Sequence, residues 1–400
     1  MNHTYASIVP LIGGETIAMQ NVFGKKPEYI LSYEDFKAND NHLVEYYKRE
    51  VPYHLIGSDR LPDVPSVDVI NTVCPCAGLS SLNTSASSDS STNDWMRTSA
   101  THVLGTLKPK VFWGENAPRL ASKMGEPVVK DLREIGKKYG YTFSLYKTKS
   151  ILHGLGQVRD RAFYFFWKGD KIPPFDYFKR KHKPIEDTIR SVTRDPNDPM
   201  NVLANEKTPT DNPYYQFVLK EMCGGMTHKE FQRSLTKTMN AMDYIEEHGV
   251  KYNRVSSWFM ENGYIKQSDK AMEIHKKLEQ GNNIMRRLVT IPKDYIGAFV
   301  GHMPLELTHP DEDRFLTIRE CLTIMGLPDD FQLQGGKKNI NHICQNVPVG
   351  TASDMADQVL KFVDGRLDNQ LIDAEFIVQC NKSRNVSYEK TGLQLDEFMV

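Results

Sequence analysis

Short apolar runs alternate with amphipathic stretches through the first half of the chain. The apolar runs predict β-strands at 6–12, 29–32, 53–56, 67–73, 110–113, 141–146 and 162–167. Apolar residues at helical spacing predict helices at 41–49, 98–107 and 128–139. This alternation is typical of an α/β fold with a mostly parallel sheet and helices on both faces. Ligands of such sheets bind beyond the carboxyl ends of the strands, so the residues that follow each strand matter most.

The pattern changes near residue 185, where the alternation stops. Apolar residues at 231, 235, 239, 242 and 245 predict one helical face, and 268–280 predicts another helix. Helical spacing returns at 317–325 and at 352–363, and little pattern follows residue 366. We therefore predict an α/β domain at 1–184, a smaller and mainly helical domain at 185–295, a return to the first domain at 296–365, and a C-terminal tail at 366–400.

Composition restricts the classes of protein that remain. A chain of 400 residues with 40% apolar and 25% charged residues is neither disordered throughout nor collagen nor a coiled-coil rod. No apolar run approaches the roughly 20 residues needed to span a bilayer, and the N-terminus does not resemble a secretory signal. Six cysteines in a chain of this length do not indicate a disulfide scaffold. We expect no membrane partner and a cytoplasmic location.

Charge is unevenly distributed. The formal net charge of −1 argues mildly against a nucleic-acid binder. Between residues 147 and 183, however, ten Lys and Arg residues stand against three Asp residues. Such a stretch either follows phosphates or forms an ordinary solvated surface, and charge alone does not decide between them.

Cys76 follows the predicted strand 67–73, within the sequence Cys74-Pro75-Cys76. A thiol exposed on a loop there suits a nucleophile, and the alternatives are a buried structural cysteine or a metal ligand. No second Cys/His pair at zinc spacing accompanies these cysteines, so we expect no metal. The Ser-rich segment 80–93 starts directly afterwards and is suited to a lid.

Two further segments carry polar groups next to strands. Glu115 follows three large apolar residues, and partial desolvation there would raise its pKa and suit a proton donor. Gln157, Arg159 and Arg161 precede the strand 162–167, and the two arginines at i and i+2 point the same way. This geometry suits a phosphate or a base edge, although paired surface arginines remain an alternative.

A possible nucleoside site lies near the start of the chain. Gly13-Gly14 follows the first predicted strand and opens a helix, and Glu34 ends the next strand about 20 residues later. This is the layout of a tight glycine turn followed by an acid for the ribose hydroxyls. Asp59, after the strand 53–56, is a third acid at the same edge.

Taken in order, these segments resemble the motifs of the C5-cytosine DNA methyltransferases. Pro75-Cys76 resembles the Pro-Cys nucleophile motif, and Glu115-Asn116 resembles the Glu-Asn-Val motif. Residues 157–161 match the Gln-x-Arg-x-Arg motif, and 342–349 resemble the Gln-x-Gly-Asn-x-Val-Pro segment. Residues 9–14 resemble a degraded Phe-x-Gly-x-Gly loop, and residues 314–331 resemble the segment that closes the recognition domain.

The resemblance implies a Rossmann-like class I methyltransferase fold with S-adenosylmethionine as the methyl donor. It implies catalytic roles for Cys76, Glu115, Arg159 and Arg161. It implies that the donor contacts Val9, Leu11, Ile12, Gly13, Gly14, Glu34, Asp59, Pro75, Gln345, Asn346 and Val347. It implies that DNA contacts Ser80, Asn116, Gln157, Arg159 and Arg161.

The implied activity is base flipping in double-stranded DNA, followed by methyl transfer to carbon 5 of cytosine. Segment 185–295 would be the target-recognition domain, and the enzyme would be a monomer of a restriction-modification system or of a phage. Two alternatives remain open, an RNA cytosine-5 methyltransferase and a non-catalytic DNA-binding regulator.

Departures from the family motifs gather around the donor. Leu11 replaces the first glycine of the loop, Val9 replaces the usual aromatic residue, and Cys344-Gln345 stands where Gly-Asn is usual. Divergence with ordinary methyl transfer explains these changes. A second hypothesis is a donor pocket altered for a larger or charged group, such as carboxy-S-adenosylmethionine, which would make the protein a carboxymethyltransferase.

Overall fold

The computed structural model describes residues 3–57, 62–75, 77–80, 85–284, 289–382 and 385–389. The chain divides into two compact units. The first unit contains Met1–His182, Met325–Gln334 and His342–Val400, and the second contains Lys183–Ile324 and Gly335–Asn341. Among the described residues, no helix is both long enough and apolar enough to cross a membrane.

Thirteen strands and twelve α-helices can be assigned within the described residues. The strands are β1 (Tyr5–Ile8), β2 (Ile30–Ser32), β3 (Tyr53–Leu55), β4 (Val69–Val73), β5 (Val111–Asn116), β6 (Tyr141–Lys149), β7 (Asp160–Lys168), β8 (Lys171–Ile172), β9 (Met239–Asn240), β10 (Thr290–Ile291), β11 (Ile372–Asp373), β12 (Phe376–Cys380) and β13 (Asn385–Glu389). The helices are α1 (Gly14–Phe23), α2 (Lys37–Tyr46), α3 (Asp94–His102), α4 (Glu126–Tyr139), α5 (Ile185–Arg190), α6 (Pro213–Phe217), α7 (His228–Ser234), α8 (Ala241–Glu247), α9 (Tyr252–Glu261), α10 (Ile265–Glu279), α11 (Ile318–Ile324) and α12 (Val349–Val363).

The first unit is built on a nine-stranded sheet in the order β13-β12-β6-β7-β5-β4-β1-β2-β3. Strand β7 runs antiparallel to both of its neighbours, β5 and β6, and β13 runs antiparallel to β12. The other pairings within this nine-stranded sheet are parallel, so the predicted α/β fold with a mostly parallel sheet is confirmed. Because β7 is reversed, its first residues lie at the edge where β4 and β5 end.

Helix α4 shows why the local sequence folds as predicted. Glu126 and Pro127 occupy its first turn, Lys137 and Lys138 its last turn, and Gly140 ends it with a φ of 81°. Charges of these signs complement the helix dipole, and glycine adopts the left-handed conformation at a C-terminus without a steric penalty. Its apolar face, which includes Val128, Val129 and Leu132, is buried in the core against the sheet.

The predicted helical face across 231–245 is wrong as a single helix. The chain turns to extended backbone at Leu235, which ends α7, and it pairs briefly as β9 before α8 begins. The Asn240 side chain caps α8 by accepting a hydrogen bond from the N–H of Met242. The five apolar positions are still buried in one core of the second unit, so apolar spacing indicated burial correctly and helix continuity incorrectly.

The sequence predicted no element after residue 366, yet three strands form there. Strand β12 pairs in parallel with β6, and β13 extends the sheet beyond it. These strands lie outside the alternation of strands and helices that identified the strands of the first half of the chain. Their conformation follows from the neighbouring strand, which offers unpaired backbone groups.

Candidate active site

The catalytic candidates of the first unit meet at the carboxyl-end edge of the sheet. Glu115 and Asn116 are the last residues of β5, and they pair with Phe163 and Ala162 of the antiparallel strand β7. Arg161 therefore lies one residue beyond the pairing partner of Asn116. The predicted strand 110–113 was three residues too short at its carboxyl end, because the backbone pairing with β7 extends through Asn116.

Glu115 is completely buried. Nε of Arg161 lies 3.0 Å from Oε2 of Glu115, and only 12% of the Arg161 side chain is exposed. Burial raises the pKa of Glu115, and the charges of Arg161 and Arg159 oppose that effect without cancelling it. The carboxyl group therefore binds a proton more readily than an ordinary glutamate does, as a proton donor requires.

Arg159 is 1% exposed, and its guanidinium donates a hydrogen bond of 2.7 Å to the carbonyl oxygen of Cys344. This bond connects the Gln-x-Arg-x-Arg segment with the late segment 342–347. Gln157 is equally buried, and its amide nitrogen lies 3.9 Å from the sulfur of Met325. Both side chains are ordered within the protein interior rather than on an open surface.

Asn116 is also completely buried. Its side-chain oxygen accepts a hydrogen bond of 2.8 Å from the N–H of Ala117, and its nitrogen lies 3.3 Å from the sulfur of Met96. The carbonyl oxygen of Ser80 accepts a bond of 3.2 Å from Arg119. DNA contact by Asn116, Gln157 or Ser80 remains a prediction.

Two of the predicted site residues, Cys76 and Asp59, lie outside the described residues. Pro75 is half-buried and directly follows Cys74. Cys74 itself is buried, with its sulfur 3.8 Å from the hydroxyl of Tyr164, and burial raises the pKa of its thiol. Cys74 is therefore a buried structural cysteine, whereas the nucleophile role of Cys76 remains a prediction.

The predicted donor loop connects β1 to α1 and is entirely buried. Val9, Leu11 and Gly13 have φ values of 50°, 50° and 94°. A left-handed φ is strained for a side chain such as Val or Leu, so surrounding contacts must hold this backbone. The N–H of Leu11 donates to the buried carboxylate of Asp40 at 3.0 Å. The predicted strand 6–12 was too long because the backbone turns at Val9.

The other predicted donor residues fall into two groups. Glu34 follows β2 with an exposed side chain, and it forms an ion pair of 3.3 Å with Lys37. Gln345 accepts a hydrogen bond of 2.7 Å from the amide of Asn39, and the Asn346 amide donates to the buried carboxylate of Glu15. Gly14 packs closely on this segment, because a Cβ at Gly14 would lie 3.2 Å from Cβ of Asn346. Ile12 and Val347, the remaining predicted donor contacts of these two segments, are also buried.

Sequence reasoning missed three polar residues of this region. Asp40 and His42 of α2 are completely buried, and so is Glu15 of α1. The positions of Asp40 and His42 on a short helix gave no signal in the sequence, because surface helices commonly carry such residues. A Glu directly after the glycine pair of the loop was the one signal that could have been noticed.

The basic stretch 147–183 does not form one face. Arg161 lies near the start of β7 at the catalytic edge, whereas Lys168 ends the same strand at the opposite edge of the sheet. Arg159 is buried, and Arg180 forms an ion pair of 2.8 Å with Asp354. Within the described residues, no group of three or more His, Cys, Asp or Glu residues is arranged to hold a metal ion.

Known structures identify the class of fold. A crystal structure of a protein described as a DNA modification methyltransferase encoded within an E. coli prophage aligns with a TM-score of 0.57. The alignment covers 90% of this chain and 99% of that one at 14% sequence identity. The first unit thus has the fold of class I methyltransferases.

The family model for C-5 cytosine-specific DNA methylases matches residues 11–361, and the chain belongs to this family. The type II methyltransferase M.FnuDI of Fusobacterium nucleatum is 23% identical over 267 residues, which cover 64% of this chain and 66% of that protein. The type II methyltransferase M.MthTI of Methanothermobacter thermautotrophicus is 24% identical over 65% of this chain and 68% of its own length. These matches span about two thirds of each relative's length, and the family to which the chain belongs consists of transferases that use S-adenosylmethionine.

The loop and its surroundings fit this donor. The backbone between β1 and α1 makes a left-handed turn. Glu34 carries an exposed carboxylate just after the neighbouring strand β2. Oδ1 of Asn346 is buried and accepts no hydrogen bond from the part of the chain that the structure describes. A buried acceptor of this kind needs a donor group, and the amino acid portion of S-adenosylmethionine carries an ammonium group.

Proposed function

We propose that the protein is a DNA cytosine-5 methyltransferase. It takes a cytosine flipped from double-stranded DNA and transfers a methyl group from S-adenosylmethionine to carbon 5. The observation that supports this most directly is the buried Glu115 carboxyl paired with Arg161 at the end of β5. A buried acid with a raised pKa, next to a fixed cation, is an arrangement for proton transfer to a ring nitrogen.

Each catalytic candidate has a separate role in the proposed reaction. The Cys76 thiolate forms a bond with carbon 6 of the base while Glu115 gives its proton to the ring nitrogen N3. Arg161 and Arg159 orient the base and the carboxylate that remains. The bound donor supplies an electrophilic methyl group on a sulfonium sulfur. Carbon 5 takes that methyl group as the methyl–sulfur bond breaks, and the rest of the donor leaves as a neutral thioether. Carbon 5 then loses its proton to a base, the bond between the Cys76 sulfur and carbon 6 breaks, and the N3 proton returns to Glu115.

DNA is the proposed substrate because the matching family model is that of the C-5 cytosine-specific DNA methylases. The existence of a second compact unit supports this choice, since a unit additional to the catalytic one provides residues for base readout. A restriction-modification system or a phage is the setting that we propose. RNA as the substrate and a non-catalytic regulator are outcomes that the experiments below distinguish.

The methyl donor is favoured over its carboxylated analogue by charge. Glu15 is a buried acid that follows Gly14 in the chain and accepts a hydrogen bond from Asn346, and both of these neighbours are predicted donor contacts. Burial raises the pKa of Glu15 to about 8, so this environment disfavours negative charge, and a carboxylate on the transferred group would pay the same desolvation cost. The amide of Gln345, whose substitution suggested an altered donor, is already bonded to Asn39.

Covalent trapping tests the proposal. Duplex DNA copied from a bacterial genome with 5-fluorodeoxycytidine in place of deoxycytidine should form an adduct that survives denaturation, because fluorine at carbon 5 blocks the final elimination. Cys76→Ser should abolish the adduct, and Cys223→Ser in the second unit should retain it. No adduct with the wild-type protein would favour the regulator. An adduct that transfer RNA suppresses more effectively than unmodified duplex DNA would favour the RNA enzyme.

Nucleoside mass spectrometry identifies the transferred group. We expect 5-methylcytosine from unmodified DNA with S-adenosylmethionine, and no carboxymethylcytosine when the carboxylated donor replaces it. A carboxymethyl product formed in preference to the methyl product would overturn the choice of donor, whereas Cys76 and Glu115 would keep their proposed roles.

A further inference from the structure

Glu15 and Asn346 form a buried pair beside the predicted donor loop. Glu15 is the second residue of α1 and is completely inaccessible to solvent, and Asn346 is 1% exposed. The Asn346 amide nitrogen donates a hydrogen bond to Oε2 of Glu15, across 331 positions of sequence. The late segment lies directly against the start of α1, because a Cβ at Gly14 would meet Cβ of Asn346 and the carbonyl oxygen of Val347, each at 3.2 Å.

Each side chain of this pair keeps one oxygen without a hydrogen-bond donor. Oε1 of Glu15 and Oδ1 of Asn346 are both buried, and neither accepts a hydrogen bond from the part of the chain that the structure describes. Buried polar atoms of native proteins are nearly always satisfied. Because the bond between the two side chains holds both oxygens on one pair, a single ligand group with several N–H donors satisfies them together.

The charge of Glu15 indicates which kind of group this is. Among the described residues, no Lys, Arg or His forms an ion pair with Glu15. Burial, and then the charge of Glu115 on β5, raise the pKa of Glu15 to about 8, whereas the Asn346 amide and the Val347 N–H oppose this effect. The Tyr164 hydroxyl on β7, with a pKa well above its usual range, is neutral. Glu15 is therefore mostly protonated near neutral pH, and a cation placed beside it by a ligand would favour its ionised form.

We propose that Glu15 and Asn346 together bind the α-ammonium group of S-adenosylmethionine, with Oε1 of Glu15 and Oδ1 of Asn346 as the two acceptors. The inference rests on the proposed function, in which S-adenosylmethionine is the donor, and it adds Glu15 to the predicted donor contacts. The ammonium carries three N–H groups, and its positive charge compensates the carboxylate. The proton that Glu15 loses passes to the solvent as the donor binds. A water molecule in the same place would satisfy both oxygens and leave Glu15 protonated.

Calorimetry with S-adenosylhomocysteine tests the proposal directly, because this product keeps the ammonium group and requires no methyl transfer. Titrations at pH 7 in two buffers with different ionisation enthalpies count the protons released on binding. The wild-type protein should release about one proton per ligand, since a carboxyl group with a pKa of about 8 is mostly protonated at pH 7. For the same reason, affinity should rise between pH 6 and pH 8, by up to about tenfold per unit.

Glu15→Gln is the informative variant, because glutamine has the size of a protonated glutamate and should leave the free protein folded. It should abolish the proton release and the pH dependence. It should also weaken S-adenosylhomocysteine binding at pH 8 by roughly tenfold or more, as loss of a charged hydrogen bond does. Glu50→Gln, at an exposed ion pair, is the matched control and should change none of these quantities. Proton release that persists in Glu15→Gln would belong to another group and would overturn the proposal.

An analogue of S-adenosylhomocysteine with hydrogen in place of the α-amino group separates ligand binding from a structural role. The wild-type protein should bind this desamino analogue roughly tenfold or more weakly than S-adenosylhomocysteine, and without proton release. In Glu15→Gln the difference between the two ligands should be much smaller, and Asn346→Ala should also reduce it. If Glu15→Gln weakens the binding of both ligands by the same factor, Glu15 is only structural and the proposal is wrong.

The inference and the proposed function can fail separately. Proton release that depends on Glu15, in a protein that methylates neither DNA nor RNA, would support the ammonium contact and refute the proposed function. Methylation of DNA without proton release on donor binding, and with full discrimination between the two ligands in Glu15→Gln, would retain the proposed function and overturn the ammonium contact. A protein that binds neither ligand between pH 6 and pH 8 would overturn the ammonium contact as well.

Discussion

Nε of Arg161 lies 3.0 Å from Oε2 of Glu115, at a position where the carboxylate is completely buried. The two residues come from neighbouring antiparallel strands, and 46 positions along the chain separate them. A buried ion pair costs desolvation energy that its attraction seldom repays in full. We therefore attribute this pair to the chemistry of the site rather than to stability.

Substitution of Arg161 tests that attribution. Arg161→Gln should lower single-turnover methyl transfer by about a hundredfold, the usual cost of removing one preorganised donor. The charge of Arg161 lowers the pKa of Glu115. In the profile of transfer rate against pH, the alkaline limb of the Arg161→Gln variant should therefore move to higher pH. Arg49→Gln, at an exposed ion pair on the surface, should leave both quantities unchanged. Movement of the limb to lower pH would contradict this account.

Gly114 should not tolerate a side chain. A Cβ there would lie 2.6 Å from Cγ2 of Thr72 and 2.6 Å from the hydroxyl oxygen of Tyr164. Gly114→Ala should lower the free energy of unfolding by about 1–3 kcal/mol, the usual cost of overpacking, and displace the neighbouring Glu115. Gly57→Ala, where nothing lies within 4 Å, is the control. Urea unfolding and transfer assays measure both effects, and equal stability of the two variants would disprove the predicted clash.

The bond between Asp40 and the Leu11 backbone should support donor binding. Asp40 is buried with a pKa raised to about 7, mainly by burial, and it accepts hydrogen bonds from Leu11 and from the Tyr53 hydroxyl. Asp40→Ala should release the strained loop and weaken S-adenosylmethionine binding by about tenfold, equivalent to one such bond of ~1.4 kcal/mol. Tyr53→Phe should have a smaller effect. Isothermal titration calorimetry measures the affinity of both variants for S-adenosylmethionine. Unchanged affinity in Asp40→Ala would exclude a role of Asp40 in donor binding.

The pair of His42 and His342 should make stability sensitive to acid. Nδ1 of His42 accepts a hydrogen bond from the N–H of Gln334, so its proton lies on Nε2, which is 2.8 Å from Nδ1 of His342. Burial and then His342 lower the pKa of His42 from 6.5 to about 4. The unfolded chain therefore binds the additional proton, and stability should fall as the pH drops from 6.5 towards 4.

Urea unfolding at about pH 5 and about pH 7 measures this loss, which is at most about 1.4 kcal/mol per pH unit for one histidine. His42→Asn should reduce the difference between the two conditions, and the exposed His248→Asn should not. If His42→Asn keeps the wild-type difference, the acid sensitivity arises at other groups.

The sequence predicted the first unit well because its signals are local. The run at 162–167, for example, is apolar or aromatic throughout and completely buried, as a strand covered on both faces requires. Glu115, Arg159 and Arg161 were identified from their types and their spacing next to strands, and the structure brings them together through the reversed strand β7. The order of the motifs pointed to the family, and the family comparison confirms it.

Other features depended on packing that local patterns do not encode. The alternation of apolar residues across 231–245 indicated burial, but one Asn cap and one extended residue divide the segment. The basic stretch 147–183 was a charge pattern along the chain, and the direction of β7 places its members at opposite edges of the sheet.

What the sequence determined by itself was therefore the class of fold and the family, together with candidate residues for the chemistry, since residue type and spacing are properties of the chain. Only the tertiary structure revealed that Glu15 is buried and bonded to Asn346, that Asp40 holds a strained loop and that Arg159 is bonded to Cys344. Each of these relationships joins segments that are far apart in sequence. Burial and proximity shift a pKa or orient a side chain, and both arise only when the strands and helices pack together.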